Sequence, residues 1–336
     1  MPESCFLCNE KLTDSNRTVE HIIPETIGGR LTSSSVICRA CNSNLGNTVD
    51  SAFYKQMGVL AEVANIYGRN KDTKPFINAY DKDGEKIKLL QGLKSPYVLR
   101  MENTQTKKVI NLYARSESEL LKLAKRKKAE IERKGGKVPI QNDDFEIVTE
   151  ERDENIHFAN SESNGQMGFV FGGKAFFNEF IKIAIEFALI NDVPSQTMND
   201  IIEHFKGYSS MFKRYCTFYY PPDVIEREKN TGIYGKIYHL IYLRGDNDTN
   251  SLYCYIDLLG VQKVVCLLNC AYKERDFEAL YYYDLQKRQE EQISFSLNLS
   301  ESFLSSIPFT KTNYRELANF YLTNYFELIS HIKEKE

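Results

Sequence analysis

Four cysteines in two C-x2-C pairs bracket a glutamate and a histidine near the start of the chain. The order is Cys5 and Cys8, Glu20-His21-Ile22-Ile23-Pro24, Gly28-Gly29, then Cys38 and Cys41 with Asn42 directly after. Tetrahedral zinc takes sulfur or imidazole ligands, and two knuckles of two thiolates can deliver them from the ends of a short loop. Such an ion would staple a segment of about fifty residues whose apolar mass is too small to fold alone. Glu20 and His21 offer a different chemistry. An acid beside an imidazole can supply a ligand for a divalent ion and a general base.

The stretch from Cys5 to about Asp50 resembles the HNH endonucleases. The similarity is to their zinc-stabilised subgroup, which reads C-x2-C, Asp or Glu-His-Ile-x-Pro, Gly-Gly and C-x2-C-Asn. The resemblance implies a ββα-metal unit with His21 at the end of the first strand and Asn42 at the start of the helix. It further implies His21 as general base, Glu20 and Asn42 as ligands of a catalytic Mg²⁺ or Mn²⁺, and Cys5, Cys8, Cys38 and Cys41 as a structural zinc site. DNA is the implied substrate, cut to leave 5′-phosphate and 3′-hydroxyl ends. Two departures stand out. The family's middle asparagine falls close to Ser35, where a serine can still donate and accept as a brace for the loop, and the catalytic carboxylate is Glu rather than the commoner Asp.

Phosphodiester hydrolysis needs a water deprotonated near neutral pH, countercharge for the pentavalent phosphate and stabilisation of the leaving oxygen. A histidine with an unperturbed pKa near 6.5 suits the first task. A hard cation on Glu20 and Asn42 suits the other two, because such ions keep several waters and need few protein oxygens. Adjacent strand residues face opposite ways, so Glu20 and His21 share a site only if the strand ends or twists there. The competing reading is a non-catalytic, zinc-stabilised module that binds nucleic acid or protein. A disulfide framework is disfavoured, since Met1-Pro2-Glu3-Ser4 has neither the basic nor the apolar region of a secretory signal.

The elements that position these residues follow from periodicity. A cap at Asn47-Thr48-Val49-Asp50 opens a helix through Phe53, Met57, Leu60, Ala61 and Ala64 to Tyr67-Gly68, which docks the nuclease-like segment on the rest. Two hairpins follow, 75–80 with 86–90 around an Asp-Gly turn, and 98–101 with 108–113. Ser116 and Glu119 open a basic helix, closed by Gly135-Gly136, whose Lys125, Arg126, Lys127 and Lys128 are candidate contacts to a DNA backbone. The apolar run 174–191 reads as a buried helix stopped by Pro194. Strands are expected at 237–243, 252–258, 261–268 and 279–283, with short turns that favour antiparallel pairing. A last helix spans 314–332 through Leu317, Phe320, Tyr321, Phe326 and Ile329.

The fold class expected is α+β: an N-terminal zinc-stapled unit, then a mixed region of mainly antiparallel strands and flanking helices. Three domains are expected, with the HNH-like unit and its docking helix at 1–68, a small α+β module at 69–155, and a recognition or regulatory domain at 156–336. A net charge of −3 argues against a surface adapted throughout to coat nucleic acid, so a DNA-binding face must be local. No apolar stretch reaches the length of a membrane span, and a cytoplasmic protein is expected. Cys216, Cys254, Cys266 and Cys270 read as buried thiols, and His157, His204, His239 and His331 as structural. Tyr281-Tyr282-Tyr283 fits a half-buried strand better than a platform for base stacking. Partners left open by the sequence are a protein or nucleotide signal for the C-terminal region and a second copy in a homodimer. A role in restriction or antiviral defence suits a small nuclease attached to a large controlling region.

Overall fold

The computed structural model describes residues 4–66, 77–80, 86–89, 97–103, 108–114, 116–135, 157–158, 171–207, 211–221, 223–309 and 315–333. Residues 1–71 group with 171–336 in one unit, and 72–170 form a second. The boundaries expected at 68/69 and 155/156 lie outside the described residues.

The first unit begins with a short hairpin. β1 (Glu20–His21) pairs antiparallel with β2 (Thr32–Ser33), placing Glu20 opposite Ser33 and His21 opposite Thr32. Between them, Gly28 adopts φ 91°, and a Cβ there would run into Ile66 and Leu285. A Cβ on Gly29 would overlap the Ile23 carbonyl, so the turn closes only over two glycines. α1 (Arg39–Leu45) passes through a π turn at Gly46–Asp50 into α2 (Ser51–Val63) without interruption. The cap expected at 47–50 is therefore not one. Thr48 and Ser51 donate instead to the carbonyls of Asn44 and Asn47, each at 2.8 Å, bonding back along the helix. α2 buries Phe53, Met57, Leu60 and Ala61, the stripe its periodicity foretold.

In the second unit β3 (Ile77–Tyr80) pairs with β4 (Lys86–Leu89), and β5 (Tyr97–Asn103) with β6 (Lys108–Ala114), both antiparallel. The Asp-Gly turn of the first hairpin lies outside the described residues. Ser116 caps α3 (Glu117–Arg133) by accepting from the Glu119 N–H at 3.3 Å, and Gly135 closes it at φ 81°. Leu120, Ala124 and Ile131 seat this helix on Leu99 and Ala114. A two-residue strand too short to show a pattern, β7 (His157–Phe158), adds to β3.

The chain returns to the first unit with α4 (Gly173–Ile190), α5 (Asn199–Lys206), β8 (Cys216–Phe218) and α6 (Val224–Asn230). It continues through β9 (Tyr238–Asp246), β10 (Ser251–Leu258), β11 (Gln262–Asn269), β12 (Phe277–Asp284) and β13 (Gln289–Glu290) to α7 (Glu301–Ser306) and α8 (Arg315–Lys333). The strands form one antiparallel sheet in the order β13-β12-β9-β10-β11-β8. The four expected strands are its centre, and only the short edges β8 and β13 escaped the pattern. Its inner strands are buried on both faces: α4 lies against β8 to β11, while Leu297, Leu299, Leu304 and Ile307 pack on the other side. That double burial is why these strands read as apolar runs rather than alternating ones.

Three expectations need correction. α4 ends at Ile190, one residue short of the expected 191, because Asp192 turns left-handed at φ 62° before Pro194 is reached. Phe320 is 39% exposed, since Tyr321, Tyr325 and Ile329 form the inward stripe of α8. Cys270 is exposed beyond the end of β11, whereas Cys216, Cys254 and Cys266 are buried. Tyr281, Tyr282 and Tyr283 do lie in a strand, β12, as expected, and at no more than 7% exposed none is available to stack on a base. Among the described residues no helix is long and apolar enough to cross a membrane.

Candidate metal and active site

The four N-terminal sulfurs converge. Cys5, Cys8, Cys38 and Cys41 hold their Sγ atoms within 4.8 Å of one another. A tetrahedron with Zn–S of about 2.3 Å has an edge of about 3.8 Å, and Cys8 and Cys38 stand 3.8 Å apart. The first knuckle is a tight turn in which the Asn9 N–H donates to Cys5 O at 2.9 Å with Asn9 at φ 61°. In the second, Cys38 caps α1 and its carbonyl accepts from the Asn42 N–H. Burial and the neighbouring sulfurs push the Cys41 thiol up. A dication reverses that preference, because a coordinating thiol is deprotonated outright. The tetrad fits structural zinc.

The same knuckle positions Asn42 in the first turn of α1, beside Glu20 of β1, where its side-chain amide favours the charged form of that carboxylate. A carboxylate and a side-chain amide thus lie side by side across the hairpin and the helix, and the two residue types hold the oxygen ligands a hard divalent ion prefers. Glu20 is 4% exposed while His21 is half-exposed, on opposite faces as strand alternation requires. Ser35 is buried, and its hydroxyl lies 3.0 Å from that of Ser33, the residue opposite Glu20. In the second unit, Lys125 and Arg126 are exposed on α3, Lys127 is paired with Glu130 at 2.9 Å, and Lys128 is partly buried.

Sequence reasoning missed what lies behind Glu20. Lys182 of α4 reaches it at 2.7 Å, with Asp50 at 3.0 Å and Glu179 at 3.5 Å, and its side chain is 1% exposed. Glu186, one turn further on, is wholly buried with no hydrogen-bond partner on either oxygen. Burial and neighbouring carboxylates push Glu186 and Glu179 well above the usual carboxylate range. Burial also raises Glu20, against the pull of Lys182. Burial alone would lower Lys182, but four carboxylates outweigh it and the ammonium keeps its proton. The available signal was Glu179, Lys182 and Glu186 recurring along one stripe of an otherwise apolar helix.

α4 is locked to the nuclease-like segment around this cluster. Phe53 packs on Phe176 and Phe180 with ring centroids 5.6 and 5.9 Å away. Gln56 exchanges two hydrogen bonds with the backbone of Gly172, at 3.1 and 3.2 Å. Each aromatic buried here is worth roughly 1.5–3 kcal/mol over leaving it exposed. His239, read from sequence as structural, ties the sheet to the hairpin. Its Nε2–H donates to Ile27 O at 3.0 Å while Nδ1 accepts from the Leu259 N–H at 3.3 Å, and burial lowers its pKa to about 4.

No curated protein and no solved structure matches the chain. Residues 5–58, which contain the tetrad, Glu20, His21 and Asn42, match the family model described as HNH endonuclease.

Proposed function

We propose that the protein is a metal-dependent HNH-type endonuclease that hydrolyses DNA phosphodiester bonds through a zinc-stapled ββα-metal unit, with the C-terminal region providing recognition or control. The observation that carries this reading is the convergence of four cysteine sulfurs that fit zinc in the segment matching the HNH endonuclease family model, with Glu20, His21 and Asn42 inside it. Glu20 and Asn42 would hold Mg²⁺ or Mn²⁺, which supplies countercharge to the phosphate and to the leaving oxygen. His21, half-exposed, takes the proton from the attacking water, and the β1–β2 pairing fixes its backbone. Ser35 braces the strand opposite Glu20 through Ser33. Lys125, Arg126, Lys127 and Lys128 offer local positive charge for the sugar-phosphate backbone on a protein of net charge −3.

The layout, a small catalytic unit fused to a much larger partner region, suits restriction or antiviral defence in the cytoplasm. A protein or nucleotide signal would then act on the C-terminal region, and a homodimer would give paired nicks. One observation favours the alternative of a non-catalytic zinc-stabilised binding module: Glu20 is 4% exposed and ion-paired. Incubating plasmid with Mg²⁺ or Mn²⁺, wild type beside His21→Ala, decides between them. Nicking by wild type and none by the variant supports the nuclease; equal degradation, or none by either, refutes it.

A further inference from the structure

Lys182 stands where a nuclease metal centre needs its cation. Its ammonium lies 2.7 Å from Glu20 and 3.0 Å from Asp50, both on the nuclease-like segment, and 3.5 Å from Glu179 on its own helix. The side chains of Lys182 and Glu20 are 1% and 5% exposed, so the contact is sealed from water. Four carboxylates, Glu20, Asp50, Glu179 and Glu186, interact electrostatically with this single ammonium. Glu179 and Glu186 are the informative members, both fully buried with neither oxygen hydrogen-bonded. Buried carboxyls without hydrogen-bond partners on the same helix as the ammonium give a displaced lysine somewhere to go.

We propose that Lys182 is a tethered competitor for the catalytic divalent ion. The ammonium holds Glu20 in the resting protein, and Mg²⁺ or Mn²⁺ engages Glu20 and Asn42 only as Lys182 withdraws toward Glu179 and Glu186. Because the competitor is part of α4, its effective concentration at Glu20 is far above that of any free ion. The metal affinity of the nuclease-like segment is thereby set by a helix of the C-terminal region, and a ligand that shifts α4 shifts that affinity. This inference rests on the assignment of Glu20 and Asn42 as metal ligands.

The test is Mn²⁺ binding to the full chain, followed by electron paramagnetic resonance of free Mn²⁺, together with the Mn²⁺-dependent rise in melting temperature. Lys182→Met should bind at least about tenfold more tightly than wild type, since a like charge beside the ion is removed. Should that variant fail to fold, Lys182→Met/Glu186→Gln replaces the buried carboxyl facing the lost ammonium with an uncharged amide of the same shape, and should still bind more tightly. Glu20→Gln, alone or added to either variant, should abolish the gain. If folded variants bind Mn²⁺ no better than wild type while wild type binds it and nicks plasmid, Lys182 is a fixed brace and only this inference falls. If neither wild type nor variant binds Mn²⁺ and no plasmid is cut, the nuclease reading falls with it.

Discussion

Acidification should pull the C-terminal sheet away from the HNH-like hairpin through one imidazole. His239 is fully buried, donates from Nε2 to the Ile27 carbonyl and accepts at Nδ1 from the Leu259 N–H. A second proton could go only on Nδ1, facing that N–H, with no acceptor to receive it. The pKa accordingly falls from 6.5 to about 4. In the unfolded chain the ring protonates near 6.5, so between pH 6.5 and 4 the unfolded state binds the extra proton and the folded state resists it. The stabilisation is full above pH 6.5 and is lost as pH falls toward 4. At 1.36 kcal/mol per pKa unit the loss between pH 7 and pH 4 is about 3 kcal/mol. Buried carboxylates with raised values, such as Asp257 at about 6, act in the opposite sense, so the wild-type profile alone is a sum. The clean measurement is urea unfolding of wild type and His239→Gln at both pH values. Glutamine keeps an N–H for Ile27 and does not titrate. The stability advantage of wild type over the variant should shrink by about 3 kcal/mol on going to pH 4. An advantage independent of pH would refute the tautomer and burial argument.

Further outcomes follow from the same geometry. His21→Ala should lower DNA cleavage by about 10²–10⁴-fold with thermal unfolding unchanged, because the ring is half-exposed and its backbone is held by β1–β2 pairing. Cys38→Ser, or prolonged chelation, should release zinc measurable by elemental analysis and loosen the N-terminal segment to proteolysis; unchanged metal content would contradict the four-thiolate site. Lys263 is wholly buried between Asp257 at 2.5 Å and Glu228 at 2.7 Å, so Lys263→Met should cost about 3–5 kcal/mol in chemical denaturation. A cost near zero would show that the two carboxylates find other partners.

Local chemistry was legible along the chain. The two C-x2-C pairs, the Glu20-His21 step and Asn42 identified the segment because metal ligands come in fixed spacings, and the tetrad's sulfurs do converge. Periodicity found α2, α3, α4, α8 and the central strands, since burial of one stripe or of both sheet faces leaves a mark within ten residues. It misread Asn47-Thr48-Val49-Asp50 as a cap because capping residues also bond back along a helix, a choice the sequence does not encode. It missed β8 and β13, which have too few residues for any period.

The arrangement that governs the site belongs to tertiary structure alone. Lys182 meets Asp50 across 132 residues of chain, and His239 meets Ile27 across 212. A charged residue on an apolar helix carries no sign of whether it will reach solvent or a buried acid. Only the packing of α4 on α2, fixed by Phe53, Phe176 and Phe180, brings the ammonium to Glu20. The sequence determined which atoms can bind a metal, because ligand chemistry is a property of residues and their spacing. The fold decided what competes for those atoms, because electrostatic competition depends on distance and burial, which arise when remote segments are packed together.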